Sequence, residues 1–281
     1  MHGGFLLFCA AMTVTSSMPV GIFDSGVGGL TVASAVRHLL PDETIIYFGD
    51  TAHLPYGDKS PGAILHYSKK ITDFLLDHNC KIILAACNTV SSTVWDELHG
   101  YSSGRAITVN VLDPVVESIA RSSPPKHIGV IGTKNTINSG AYSRNLKRLL
   151  PDTKVSCLAT PLLVPMIEEG FIYDDISNAI IRAYLSSNIL KGIQTLILGC
   201  THYPVIRNQI RKYYDFKVEV VDSAMIVAEY LRSILESRDL LSSGSDSGDR
   251  FFISDHTEYF GKIARIFFEK QISLEKIDLW K

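Results

Sequence analysis

The chain has 281 residues, 46% of them hydrophobic, with 27 basic and 29 acidic side chains and a formal net charge of −2. That is enough for a sizeable core in one large or two medium domains. With no basic stripe or polybasic run, nucleic acid is excluded as a default partner. No apolar run approaches the ~20 residues that span a bilayer, so no membrane partner is expected either.

Five cysteines are present, Cys9, Cys80, Cys87, Cys157 and Cys200. The number is odd, the spacings are wide, and there is no C-x-x-C, which argues against a zinc knuckle or a thioredoxin-type motif. Free thiols in a reducing cytosol are the simplest reading, so the expected location is cytoplasmic and the expected metal is none.

Residues 1–17 read as an N-terminal extension. "GFLLFCAAMTV" resembles the apolar part of a signal peptide, but no Lys or Arg precedes it. Neither strand nor motif lies there, so its removal is expected to leave the fold nearly unchanged. From Met18 onward, short apolar runs alternate with segments of helical period. In chain order the strands are "VGIF", "TIIYFG", "KIILAA", "AITVNV", "HIGVIG", "KVSCL", "TLILG", "KVEVV" and, late in the chain, "FFISD". They are rich in Ile and Val without clean alternation, as strands buried on both faces of a parallel sheet are. Helical spacing covers 30–40, 63–79, 141–150, 176–190 and 224–235. Ser242–Asp249, "SSGSDSGD", reads as a flexible surface loop.

Strand–helix alternation implies βα units and open, doubly wound sheets. A weak internal repeat runs through them. "VGIFDSG" leads to "LAACNT", and "IGVIGTKNT" leads to "LILGCTH". The expected fold is therefore α/β, with two similar, mainly parallel-sheet domains related by pseudo-twofold symmetry and a site in the cleft between them. Residues 18–112 would form the first part of domain A, 113–222 domain B, and 223–281 a return segment of domain A.

Ligands in such sheets sit beyond the carboxyl ends of the strands, where both Cys87 and Cys200 fall. Each is followed by polar residues, Asn88 and Thr89 in one half, Thr201 and His202 in the other. Amides at a helix start would favour thiolate and lower the thiol pKa from about 8.5. Cys9, Cys80 and Cys157 have nothing polar organised around them and read as structural thiols.

Other motifs admit two readings. "FDSGVGGLT" departs from G-x-G-x-x-G and has no Walker lysine, so it reads as a tight βα turn, yet Asp24 and Ser25 end a buried strand. "GDTAHLPYGDKS" is a plain surface turn or a loop that brings Tyr56 and Gly57 close to a ligand. Thr133 and Thr136 offer hydroxyls in the second-half counterpart of the Asp24 loop. Asn138 or Ser139 there could instead cap the following helix. Of Glu168 and Glu169, the latter reads as solvated.

Taken together, "DSGVGGLT", "GDTAHLPYG", "ACNT", "TINSGAY", "VPMIEEG", "LGCTHYP" and "VDS" resemble the glutamate racemases, cofactor-independent enzymes of bacterial cell-wall synthesis. The resemblance runs from about Pro19 to near the end of the chain. "ACNTVSS" departs slightly from the more usual "ACNTAS", and "NVLDPVVESI" is a looser match. The resemblance implies Cys87 and Cys200 as the two catalytic acid/bases, Cys87 facing the α-proton of D-glutamate and Cys200 that of L-glutamate. It implies substrate contacts from Asp24, Ser25, Tyr56, Gly57, Asn88, Thr89, Thr201 and His202, with Thr133, Thr136 and Glu168 at matching second-half positions.

Asp24 beside Cys87 and His202 beside Cys200 would steer each thiol's proton. Inverting an α-carbon needs a proton removed from one face and added to the other, which explains a duplicated thiol. The expected partner is glutamate alone, with no cofactor and with a homodimer possible. Three rivals stay open: aspartate racemase or another member of the superfamily, a cysteine hydrolase with a histidine base, and a non-catalytic amino-acid binding protein.

Overall fold

Ile- and Val-rich runs too short for helices find their hydrogen bonds in parallel neighbours, and helices cover both faces of the result. The computed structural model describes residues 14–121, 124–244, 248–256, 258–268 and 272–281. Its strands are β1 (Val20–Asp24), β2 (Ile45–Gly49), β3 (Ile82–Ala85), β4 (Ile107–Asn110), β5 (His127–Gly132), β6 (Lys154–Ala159), β7 (Thr195–Gly199), β8 (Glu219–Val221), β9 (Arg250–Ile253) and β10 (Leu274–Lys276). The helices are α1 (Leu30–Leu39), α2 (Pro61–Asp77), α3 (Asn88–Thr93), α4 (Trp95–Ser102), α5 (Leu112–Arg121) and α6 (Lys134–Asn138). They continue with α7 (Ala141–Leu149), α8 (Leu163–Glu168), α9 (Asp175–Leu185), α10 (Arg207–Tyr213), α11 (Ser223–Ser237) and α12 (Glu258–Phe268).

The strands form two parallel sheets, one ordered β10-β9-β2-β1-β3-β4 and the other β6-β5-β7-β8. Every residue of β1, β2, β3, β5 and β7 is buried, which is why these strands carry no apolar–polar alternation. The order β2-β1-β3-β4 in the first sheet repeats as β6-β5-β7-β8 in the second. The expected α/β fold with two mainly parallel sheets is what the chain adopts. The chain leaves the first sheet after β4 and returns to it at β9, with α11 packed against both α1 and α5 on the way.

One reading of the sequence is corrected. The helix expected over 176–190 ends at Leu185, and Ser187 turns its side chain to the backbone N–H of Ile189, starting a single 3-10 turn, Asn188–Leu190. The short helices α3, α6, α8 and α10 have too few turns to show a period. Of the expected 242–249 loop, residues 245–247 lie outside the described residues, and the flanks 242–244 and 248–249 are irregular and bonded to the fold. The Ser242 amide donates to Glu43 Oε1 at 2.8 Å, and Asp249 pairs with Arg37 while accepting the Ile45 amide at 2.9 Å.

The end of the N-terminal extension is also not free of the fold. Lys81, fully buried, forms an ion pair with Glu43 at 2.7 Å and donates to the Leu240 carbonyl at 2.8 Å and the Ser16 carbonyl at 2.6 Å. Val14 packs against the core. Residues 1–13, with Cys9, lie outside the described residues. A buried ammonium that loses an acceptor costs about 1–3 kcal/mol, part of which entering water restores. A chain starting at Met18 is therefore expected to melt a few degrees lower than the full chain by circular dichroism. An unchanged midpoint would show that Ser16 contributes nothing.

Candidate active site

The carboxyl ends of β1, β3, β5 and β7 point into one cavity of about 170 Å³. Ser25, Tyr56, Gly57, Cys87, Asn88, Thr89, Thr133, Glu168, Cys200, Thr201 and His202 all line it. Two of the expected residues do not. Asp24 is wholly buried behind Ser25, where its Oδ2 accepts the amides of Gly26 at 3.2 Å and Gly29 at 2.9 Å. Thr136 sits behind the wall, its hydroxyl 3.0 Å from that of Thr133 and 3.4 Å from that of Thr89. Glu169 is exposed, as its sequence position suggested.

Parallel register sets the two thiols at matching places. Phe23 of β1 lies level with Ala85 of β3, and Gly132 of β5 with Gly199 of β7. Continued past the strand ends, this brings Ser25 level with Cys87 and Thr133 level with Cys200. The Cys87 thiol lies 3.5 Å from Ser25 Oγ and caps α3 without a side-chain cap bond. Cys200 has His202 Nδ1 at 3.8 Å, and the far nitrogen of that imidazole, Nε2, lies 2.9 Å from Glu168 Oε1. Gly28 has to be a glycine here, because a Cβ would collide with the His202 ring.

The charged groups beside the two thiols differ. Burial pushes the Cys87 thiol up to about 12, and the charge of Asp24 adds to the effect, outweighing the Ser25 and Val90 hydrogen bonds that favour thiolate. The expected lowering by the helix start is thus overturned at Cys87: desolvation exceeds the dipole of a helix under two turns long. His202 behaves oppositely. Burial works against its charged form, yet hydrogen bonds to Cys200 and Glu168 hold its pKa well above the ordinary imidazole range. Burial likewise raises the Asp24 carboxyl, against the pull of His202 and the Gly29 amide.

Residues from both sheets knit the walls together. Tyr142 donates its hydroxyl to Asn88 Oδ1 at 2.6 Å, which fixes the amide and leaves the buried Asn88 Nδ2 without a protein acceptor. Thr89 and Thr133 place their hydroxyls 3.1 Å apart across the two halves. Asn135 Nδ2 donates to the carbonyls of Tyr56 at 3.0 Å and Lys59 at 2.7 Å. Gly57 lies so close to Thr133 that a Cβ would come within 2.7 Å of Thr133 Cβ. Reading the sequence missed Asn135, Tyr142 and the apolar wall of Leu54, Pro161, Val164 and Pro165. "TKNT" and "VPMIEEG" contain three of them, but nothing local says which way a side chain faces.

Comparison with known proteins follows the same lines. Residues 30–231 match the model of the Asp/Glu/hydantoin racemase family. The glutamate racemase of Neisseria meningitidis is 38% identical over 262 residues, 93% of this chain and 96% of that one. That of Geobacter metallireducens is 40% identical over 249 residues, 88% of this chain and 92% of that one. The crystal structure of glutamate racemase from Francisella tularensis in complex with D-glutamate superposes with a TM-score of 0.88 at 36% identity, covering 94% of this chain and 99% of that one.

Two titrations test the electrostatics. A thiol deprotonates as pH rises, so alkylation of Cys87 by iodoacetamide, followed by peptide mass spectrometry, should still climb steeply through pH 10. A plateau below pH 9 would mean that the thiolate is already formed. For His202 the folded pKa exceeds the unfolded value of about 6.5, so its stabilising contribution is complete below that pH and lost as pH rises through the folded value. Glu168→Gln removes one cause of the upward shift. The variant's imidazole titration by NMR should fall toward the ordinary range, and its melting point should lose part of that pH dependence. An unmoved midpoint would assign the shift to Cys200 alone.

Proposed function

The chain belongs to the glutamate racemases of the Asp/Glu/hydantoin racemase family, and we propose that it interconverts L- and D-glutamate by two-base proton transfer between Cys87 and Cys200, without a cofactor. One observation carries the reading. The two thiols end equivalent strands of two like-ordered sheets and line the same cavity. An α-carbon held between them can lose its proton to a thiolate on one face, become a planar carbanion, and take a proton from the thiol on the other face.

In the L-to-D direction Cys200 acts as base. His202, held protonated by Glu168 and Cys200, lies beside the thiolate and stabilises it. Cys87, whose burial favours the thiol, delivers a proton to the opposite face. The reverse reaction needs the opposite assignment, a thiolate at Cys87 and a thiol at Cys200. Asn88 Nδ2, unpartnered and with its amide locked by Tyr142, would donate to the substrate α-carboxylate. The hydroxyls of Ser25, Thr89 and Thr201 complete the hold on carboxylate and ammonium, and disperse charge as the carbanion forms. Such a protein would act in the cytoplasm and supply D-glutamate for peptidoglycan.

The first test is NMR of L-glutamate in D₂O with purified protein. Loss of the α-hydrogen signal with appearance of the D-enantiomer is expected, and aspartate under the same conditions should exchange far more slowly. Binding without exchange would overturn the proposal.

The two cysteines are then separated by Cys87→Ala and Cys200→Ala. Each is expected to abolish racemisation. Each retains one base on one face, so Cys87→Ala should exchange only the α-hydrogen of L-glutamate and Cys200→Ala only that of D-glutamate. Mass spectrometry of each enantiomer after long incubation reads the result. A single variant that still interconverts the enantiomers near the wild-type rate would end the two-thiol mechanism.

A further inference from the structure

The wall turn that carries Tyr56 and Gly57 is held from behind by a cluster outside the thiol chemistry. Asp50, fully buried, receives three donors: Tyr56 Oη–H at 2.7 Å, Ser254 Oγ–H at 2.7 Å and His53 Nδ1–H at 2.9 Å. A carboxylate saturated in this way fixes all three side chains at once. Tyr56 and Gly57 face the cavity from the same turn. His53 is itself clamped. Its ring stacks on Tyr67 of α2 at 4.0 Å between centroids and meets the edge of Trp280 at 4.5 Å. Tyr67 and Trp280 touch in turn at 5.2 Å, and the ammonium of Lys70 lies 5.5 Å over the Trp280 ring.

An imidazole on a solvent-facing turn has freedom about both side-chain bonds, and only one orientation aims Nδ1–H at a buried carboxylate. The aromatic clamp selects that orientation. From the Tyr56 side, Asn135 of α6 grips the carbonyls of Tyr56 and Lys59, so the turn is fixed from behind by Asp50 and from the facing half by Asn135. None of these hydrogen bonds is made to a thiol. Together they govern where the wall stands.

We propose that Trp280, acting through His53 and Asp50, is a positioning residue that sets the Tyr56–Gly57 wall of the cavity and so controls how tightly glutamate of either hand is held. The inference rests on the glutamate racemase reading above. Because the cluster makes no hydrogen bond to either thiol, a loosened wall should weaken binding of the two enantiomers alike and change the chemical step far less.

The test compares Trp280→Ala with Trp280→Phe, which keeps an aromatic edge against His53. Two readouts are taken on full-length protein. One is the downfield, slowly exchanging His53 Nδ1–H signal in proton NMR, assigned by its loss in His53→Gln. The other is kcat and KM for L- and D-glutamate. Trp280→Ala is expected to lose the signal and to raise both KM values at least fivefold with kcat changed less than twofold. Trp280→Phe should restore both. A signal that persists in Trp280→Ala overturns the clamp. A lost signal with KM unchanged, or a fall in kcat alone, overturns the role of the wall. A wild-type protein that racemises no glutamate overturns the earlier reading instead, and the NMR comparison still decides the clamp.

Discussion

Parallel pairing of β1 with β3, and of β5 with β7, is the constraint on which the site depends. In a parallel sheet all carboxyl ends lie on one edge, so residues just past neighbouring strands come together however far apart they are in the chain. That is how Ser25 arrives beside Cys87, and Thr133 level with Cys200. Side chains alternate along a strand, so a slip of one residue in either pairing would turn a thiol away from the cavity. Burial of β1, β3, β5 and β7 makes such a slip expensive, because it would disturb apolar contacts on both faces.

The repeat is one of backbone rather than of charge. At the position where β1 ends on Asp24, β5 ends on Gly132, and two residues past each thiol stands Thr89 in one half and His202 in the other. The first half thus places a buried carboxylate behind its thiol, while the second places an imidazole held by a carboxylate. An anion nearby opposes thiolate and a cation favours it. Two sites alike in shape are consequently unlike in the charged groups that surround them.

Much of this was legible in the sequence because it is local. Buried parallel strands announce themselves as unbroken apolar runs, and residues at their carboxyl ends read directly as cavity candidates. The glycine turn after β1 and the polar residues after Cys87 and Cys200 belong to the same class of signal. What stayed hidden depends on contacts between distant segments. Asp24 stands at a strand end as a cavity residue would, but it does not line the cavity, and its Oδ2 turns back to the Gly26 and Gly29 amides. Cys87 looked activated by its helix start, but the depth of its burial could not be known before the two halves were packed. The grip of Lys81 on Ser16 joins residues 65 apart and leaves no mark in composition or period.

That same buried lysine limits how the sequence can drift. Lys81 and Glu43 are both shut away from water, and the pair also ties down the 240–242 segment. Replacing one alone leaves a buried charge with no counter-ion, at a cost of roughly 3–5 kcal/mol, whereas replacing both by apolar residues of similar volume is often close to neutral. The two positions are therefore coupled in descent. Related chains should carry both charges or neither, and an intermediate with one would be selected against for its instability before any question of catalysis arose.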